Sequence, residues 1–515
     1  MSGMFEPKTD KASRKLAQSQ KDLKAKRKKR ITISIIISIL VLVSAVSILI
    51  NSNFIRRTVP VVTIAGRGFT AAEFEYFFNA EYSEYMEFMS QFHGVEEFLP
   101  DQSRTLSGQI FDPETGETWA DYITTMALSS MAELVSMYNA AKEAGFELSA
   151  EQLAEIDEEI EMVAFQAVIS GFPSSDMLLQ RMFGNSMNVR TYRNILEFIS
   201  TARHYSEYKR ESVVFSSDSI AAYYAANRDE LDAFNYRLLF VDALMPDDDF
   251  ESMEDPADTY TRAVEIANGI LSEEDFIEAA RALGDETFDP ESTLYRMQGG
   301  LLDEDIGEWL RNDTRVYGDI TILETDFGNS IAFFLSRDGN NYHTTGMRQI
   351  LISRENVDPF DFPEGENDPD YHAALDQAET ILHERADFIN ALFSAMGATE
   401  EALLGLIEDH SDDNTPGGYY SFITKIPYQS SHVQTMRVVP EIEDWLFAED
   451  RSIGDTEMIY TAAFGFHLIY FTGWGEMFFE LIAEDRMRTR DHGEWINGLT
   501  HGVPVKHAAF ILVHI

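Results

Sequence analysis

Three short clusters in the chain have residue types that could bind an ion or a phosphate. "DPFDFPEGENDPDY" (Asp358 to Tyr371) offers Asp358, Asp361 and Glu364, the hard carboxylate oxygens that calcium takes. It lacks the even spacing, central glycine and terminal glutamate of an EF-hand loop, and reads as a solvated acidic loop. "EDHSDD" (Glu408 to Asp413) has ligand types, but consecutive residues on one short stretch rarely converge on a single ion. "GRG" (Gly66 to Gly68) is a turn and not a phosphate loop. No HExxH, Walker or nucleophile-elbow pattern occurs, and there is no cysteine. No metal or cofactor is expected.

A different signal is stronger. "DIGEWLRNDTRVYGD" (Asp305 to Asp319) recurs as "EIEDWLFAEDRSIGD" (Glu441 to Asp455), aligning Ile306 with Ile442, Trp309 with Trp445, Arg315 with Arg451 and Gly318 with Gly454. After a slip of one residue, "FGNSIAFFL" (Phe327 to Leu335) lies over "FGFHLIYF" (Phe464 to Phe471). A module is therefore present twice. Each copy opens on a strand ("YRLLFVDA" and "MRQILISR"), continues through acidic helices to the tryptophan helix, and closes on "GD" and a paired strand. The shared tryptophans read as packing anchors. "SRDGNNYHTTG" (Ser336 to Gly346) reads as the linker between the copies.

The 515 residues leave room for two to four domains. Ile31 to Ile50 is a run of twenty residues without a charge or a helix breaker, long enough to cross a bilayer core of ~30 Å. Residues 1–30 carry eleven Lys or Arg and three acids, so the positive-inside rule keeps that tail cytoplasmic and places the rest outside. The tail's +8 leaves −56 of the total −48 on the outer part, where the only lysines are Lys142, Lys209, Lys425 and Lys506. Such a surface repels nucleic acid and anionic lipid, and argues against either as a partner.

Beyond the span, Thr70 and Glu73 form a capping box, with Phe69 and Phe74 placed as its hydrophobic staple. The helix that follows carries Phe74, Phe78, Tyr82 and Tyr85, flanked by Phe77 and Phe88, as one aromatic face. Helical patterns then run from Thr118 to Gly145, from Ser149 to Ile169 and from Ser175 to about Ser212, with little strand signal. A short helix capped near Ser217 closes this region, and the final "AFILVHI" reads as a strand.

The second module resembles a parvulin-type peptidyl-prolyl isomerase domain in "RQILI", "HSDDNTPGGYYSF" and "FGFHLIYF". The whole ectodomain is similar to the SurA and PrsA family of extracytoplasmic folding factors. That resemblance implies an α+β fold class: a single N-terminal transmembrane helix, a SurA-like helical chaperone domain and two parvulin-like α+β domains. The boundaries it implies are a basic tail 1–30, a span 31–50, and a helical domain 54–232 completed by a returning segment 476–515. The parvulin-like domains would cover 234–340 and 342–475.

The resemblance also implies a site. His467 stands at the family's second histidine, Asp413 at its Asp or Cys position, and Gly417 and Gly418 at its glycine pair. Gln349 occupies the position of the first histidine, where it can hydrogen-bond without titrating. Met436, Ile442 and Phe447 are implied as walls of the proline pocket. The first module has Leu238 and Ser330 at the two histidine positions, which implies a kept fold and a lost site. The function this implies is a membrane-anchored foldase acting on unfolded or proline-containing exported polypeptides, with prolyl isomerisation in the second module. The alternatives are a holdase without catalysis and an envelope scaffold.

Overall fold

The computed structural model describes residues 28, 33–43, 53–92, 98–242, 256–284, 288–325 and 328–507. They divide into two compact units, Met1–Val213 with Asp491–Ile515, and Val214–Arg490. Residues 31–32 and 44–50 of the expected span, and the basic tail apart from residue 28, lie outside the described residues. Within the span, residues 33–43 are helical and their side chains are exposed. Among the described residues no helix is long and apolar enough to cross a membrane.

The first unit is mainly helical. A short α1 (Phe54–Thr58) leads into the hairpin β1 (Pro60–Ile64) and β2 (Arg67–Thr70), and then into α2 (Ala71–Ser90). The Thr70 hydroxyl accepts from the Glu73 amide while the Glu73 carboxylate accepts from the Thr70 amide, so two orphan donors of the first turn are satisfied reciprocally. Thr118 with Asp121, and Ser149 with Gln152, start two later helices the same way. On α2, Phe74, Phe77 and Phe78 are buried, and Phe69 meets Phe77 and Phe198 edge-on, with ring centroids 6.2 and 5.7 Å apart. Phe88, expected on the buried flank, is exposed and leans on Phe92. A small hairpin, β3 (Ile110–Asp112) and β4 (Glu117–Thr118), interrupts the helices where none was expected. Next come α3 (Trp119–Glu143), α4 (Ala150–Ile169), α5 (Ser175–Phe183) and α6 (Val189–Glu211).

In the second unit α7 (Ser217–Ala226) and α8 (Arg228–Leu231) come first. Read from sequence as the close of the helical domain, they instead share a core with the second unit: Ile220, Tyr224 and Leu231 pack with Ile426, Tyr428, Phe478 and Ile482. Two modules with the same path follow. The first has β5 (Ala233–Asp242), α9 (Pro256–Gly269), α10 (Glu273–Leu283), β6 (Leu294–Gln298), α11 (Glu304–Leu310), β7 (Ile320–Thr325) and β8 (Gly328–Asp338). The second has β9 (His343–Ser353), α12 (Pro369–Ala395), α13 (Glu400–His410), β10 (Tyr419–Ile423), α14 (Pro440–Leu446), β11 (Thr456–Thr461) and β12 (Gly465–Met477). Their sheets are antiparallel, ordered β6-β5-β8-β7 and β10-β9-β12-β11, so within each module the strands lie as 2-1-4-3.

The sequence repeat is a repeated network. Arg315 Nε donates to the Trp309 carbonyl at 3.2 Å with its guanidinium 4.4 Å from the indole centroid; for Arg451 and Trp445 the values are 3.0 and 3.9 Å. Asp319 and Asp455 each accept from the backbone amide three residues earlier and pair with the same arginine. Gly318 and Gly454, at φ of 91° and 94°, turn the chain so that their amides reach the carbonyls of Phe334 and Phe471. The repeated pattern therefore ties the short helix to the last strand. Arg451→Lys is expected to lower the unfolding free energy by about 1–2 kcal/mol, because lysine keeps the charge but loses the flat stack and the fixed donor. Arg315→Lys should cost nearly the same, which a urea titration of the two variants would check.

The joint between the modules is not a free linker. Only 339–342 separate β8 from β9, and Asn340 is wholly buried, its amide donating to the Leu231 carbonyl and the Tyr224 hydroxyl. The last helix, α15 (Phe478–Thr500), begins in the second unit's core with Phe478, Ile482, Ala483 and Met487. Its end supplies Trp495, Ile496 and Leu499 to the core of the first. The strand expected at the terminus lies outside the described residues, and β13 (Val505–His507) pairs with β1.

Candidate functional site

Strand alternation builds the site. On β9, Ile350 and Ile352 face α12 and α13 with Leu468 of β12, in a core completed by Leu382, Ile389, Phe393 and Leu403. Met347, Gln349 and Leu351 therefore turn to the opposite face. There Leu351 pairs in register with His467 and Gln349 with Ile469. Both polar residues are nearly buried, Gln349 at 7% and His467 at 5% exposure.

Asp413 arrives from the loop after α13. Its neighbour Asp412 donates an amide to the Leu351 carbonyl and accepts from the Ser353 amide, so this stretch runs along β9. Gly417 and Gly418, at φ of 58° and 55°, then turn the chain into β10. A Cβ at Gly418 would overlap the Gln349 carbonyl oxygen, so the close approach itself demands glycine.

These elements assemble a continuous polar row. The Tyr420 hydroxyl donates to Asp413 at 2.6 Å, and the Thr415 amide donates to the other carboxylate oxygen at 2.9 Å. Gln349 Nε2 donates to Asp413 at 3.0 Å. A carboxylate only accepts here, so the amide orientation is determined, and Gln349 Oε1 accepts from His467 Nδ1 at 3.0 Å. His467 Nε2, left as acceptor, lies 3.0 Å from the Thr461 hydroxyl. Burial drives the His467 pKa down to about 4 against the opposing pull of Asp413 and Glu441, so the imidazole is neutral near pH 7. Burial also pushes the Asp413 carboxyl up, but donors from Tyr420, Gln349 and Thr415 outweigh it and hold the group below its ordinary value. Tyr420 is raised, chiefly by burial and then by Asp413.

The row floors a cavity of about 480 Å³. Its apolar wall includes Met347, Leu351, Met436, Val439, Ile442 and Phe464, and Arg437 is the one basic group on it. Such a site has a polar base, with one ionised carboxylate held by donors and a neutral imidazole, and a greasy wall. It has no activated nucleophile, and its imidazole does not titrate near neutrality. It can take up an apolar ring and offer hydrogen bonds to the amide beside it.

Of the residues implied from sequence, Gln349, Asp413 and His467 come together, with Gln349 standing between the other two. Met436 and Ile442 are on the wall. Phe447 is not: it lies at the C-terminal cap of α14, edge-on to Tyr342 at 5.5 Å and beneath Lys425. Five residues along a helix turn a side chain well away from the first, whereas Val439 and Ile442, three apart, share the cavity face. Tyr420, Thr461, Val439 and Phe464 went unread. Alternation from Gln349 would have found Met347 and Leu351, but Thr461 reaches His467 only through the β11–β12 pairing. In the acidic loop Asp358 and Asp368 accept from backbone amides as turn and helix caps. Among the described residues no group of three or more such side chains could hold a metal ion.

The first module has neither an amide nor an imidazole at the same points. Leu238 packs against the core of Phe234, Tyr236, Ile306 and Phe334, and Ser330 pairs with Phe240 as His467 does with Leu351.

No family model and no curated protein matches the chain. Solved structures similar to it include the peptidylprolyl isomerase PrsA from Bacillus anthracis, at 11% identity over 41% of this chain and 79% of that one, with a TM-score of 0.21. PrsA from Bacillus subtilis is 13% identical over 42% of this chain and 73% of that one, with a TM-score of 0.15. Values this low assign neither fold nor activity.

Proposed function

We propose that the chain is a membrane-anchored extracytoplasmic folding factor whose second module binds prolyl segments and eases rotation about the X–Pro bond. The observation that carries this reading is the hydrogen-bonded row Tyr420–Asp413–Gln349–His467–Thr461 under an apolar cavity, present in one module, while Leu238 and Ser330 stand in the places of Gln349 and His467 in the other. Prolyl rotation breaks no bond and needs no proton transfer. A catalyst has only to bind the twisted amide better than its planar forms, against a barrier of ~18–20 kcal/mol. The apolar run at Ile31 to Ile50, behind its basic tail, is the proposed anchor.

The first unit suits the holding of unfolded clients. Met162, Phe165, Val168 and Ile169 on α4 are 60–75% exposed, which is costly in water unless the surface is used. This favours a second reading, in which the protein binds chains and catalyses nothing. Exchange of a proline-containing peptide measured by NMR with the full chain separates the two. His467→Ala removes one hydrogen bond of the row and should slow exchange by about tenfold relative to the intact protein. Equal, background-level exchange in both leaves the non-catalytic chain binder.

A further inference from the structure

The module without a site touches the helix that walls the site in the other. Arg296 lies on β6, the edge strand of the first module's sheet, and its Nη1 donates to Glu443 Oε1 at 2.7 Å. Glu443 sits on α14 beside Ile442 and is 6% exposed. Its second oxygen is buried with no hydrogen-bond donor, and the nearest cation is Arg437, at 3.9 Å. Arg437 is also the basic group of the cavity wall. One buried carboxylate thus faces two arginines, one from each module, and the cross-module one makes the hydrogen bond.

The far end of α14 is fixed as well. Phe447 packs on Tyr342 of the inter-module joint, and Lys425 lies 5.3 and 5.2 Å from the two rings. Beside Arg296 the joint opens into a cavity of about 370 Å³ bordered by Tyr342 and Lys425. Packing there is incomplete, so the ion pair, more than side-chain fit, holds this edge. Without Arg296 the buried carboxylate would lose its one hydrogen-bonded cation and keep Arg437, with Lys425 acting from farther off. Arg437 would close on it, leaving the cavity wall and drawing Ile442 with it.

We infer that the first module is a positioning element for the second, its Arg296 holding Glu443 so that α14 and Arg437 keep the cavity open. This rests on the reading of that cavity as a prolyl-segment site, although the clamp itself can be tested without it. Arg296 and Glu443 are positioning residues and touch no ligand.

The test uses the full chain with two readouts. The first is affinity for a labelled Ala-Leu-Pro-Phe peptide, followed by fluorescence anisotropy; the second is amide hydrogen exchange of α14. Arg296→Met should weaken the peptide roughly five- to tenfold and speed exchange in α14 by a similar factor, leaving α13 unchanged. The double variant Arg296→Met with Glu443→Gln removes the stranded charge and should return both readouts to within about twofold of the intact protein. Arg315→Lys, which weakens the first module but leaves the Arg296–Glu443 bond in place, should move neither. Unchanged exchange in α14 of Arg296→Met, or a double variant no better than the single, overturns the inference. Failure of the intact protein to bind the peptide would sink the prolyl-site reading, and the exchange data would still decide the clamp.

Discussion

Gly418→Ala should cost the second module about 3 kcal/mol. Two penalties combine. At φ of 55° an L-residue is strained, and the new Cβ would overlap the Gln349 carbonyl oxygen on a central strand that cannot retreat. Relief requires the Asp413 loop to lift off β9, which separates Asp413 from Gln349 and opens the row. Gly417→Ala is the control. Its φ is 58°, but its Cβ would meet side chains alone, the end of Arg348 at 3.0 Å and Leu404 at 3.5 Å, and no backbone atom. It should cost about 1 kcal/mol. Amide exchange in β9 and β12 measures both variants. A Gly418→Ala protein as protected as Gly417→Ala would show that the loop does not press on the strand.

Acid should destabilise this module in a window set by His467. Its pKa falls from an ordinary value near 6.5 to about 4 on folding. Between those values the unfolded chain binds the proton that the folded chain refuses, so stability is complete above pH 6.5 and is lost as the pH falls toward 4. A difference of this size amounts to about 3 kcal/mol. Asp413 acts lower: its carboxyl is depressed, so its contribution is present above its ordinary value near 3.8 and is lost only as pH drops below that. His467→Gln keeps hydrogen-bonding capacity without a titrating proton, and should flatten the profile of β12 amide protection between pH 6.5 and 4. An unchanged slope would place the acid sensitivity elsewhere. For the same reason peptide binding at the cavity should be flat from pH 6 to 8, where no group of the row changes charge.

The two expectations depend on different layers of information. The glycine pair is legible in "TPGGYY" because positive φ is a local demand. The capping boxes at Thr70, Thr118 and Ser149 are legible for the same reason, since cap and acceptor lie three residues apart. The doubled arginine–tryptophan network is legible as a repeat because all its side chains fall within eleven residues of one another. Alternation on β9 assigns Gln349 one face and Ile350 the other. Patterns of this kind are short in range, and backbone geometry alone enforces them.

Position in space between distant segments is not written that way. Gln349, which the resemblance puts in a histidine's place, bridges Asp413 and His467, across 64 and 118 residues of chain, because an amide has a donor on one side and an acceptor on the other. Phe447 is implied as a wall by the resemblance, but helix rotation turns it to Tyr342. Ser217–Leu231 joined the second unit because its apolar face found Phe478 and Tyr428, and nothing in its own residues names those partners. The bond from Arg296 to Glu443 spans 147 residues and decides how α14 is held. The residues alone determined which modules exist, where their helices start and which strand faces are polar, since those follow from local backbone chemistry. Which polar groups meet, and which module braces which, was decided only when packing brought remote surfaces together, because burial makes an unpartnered carboxylate or amide costly and leaves few arrangements that satisfy them all.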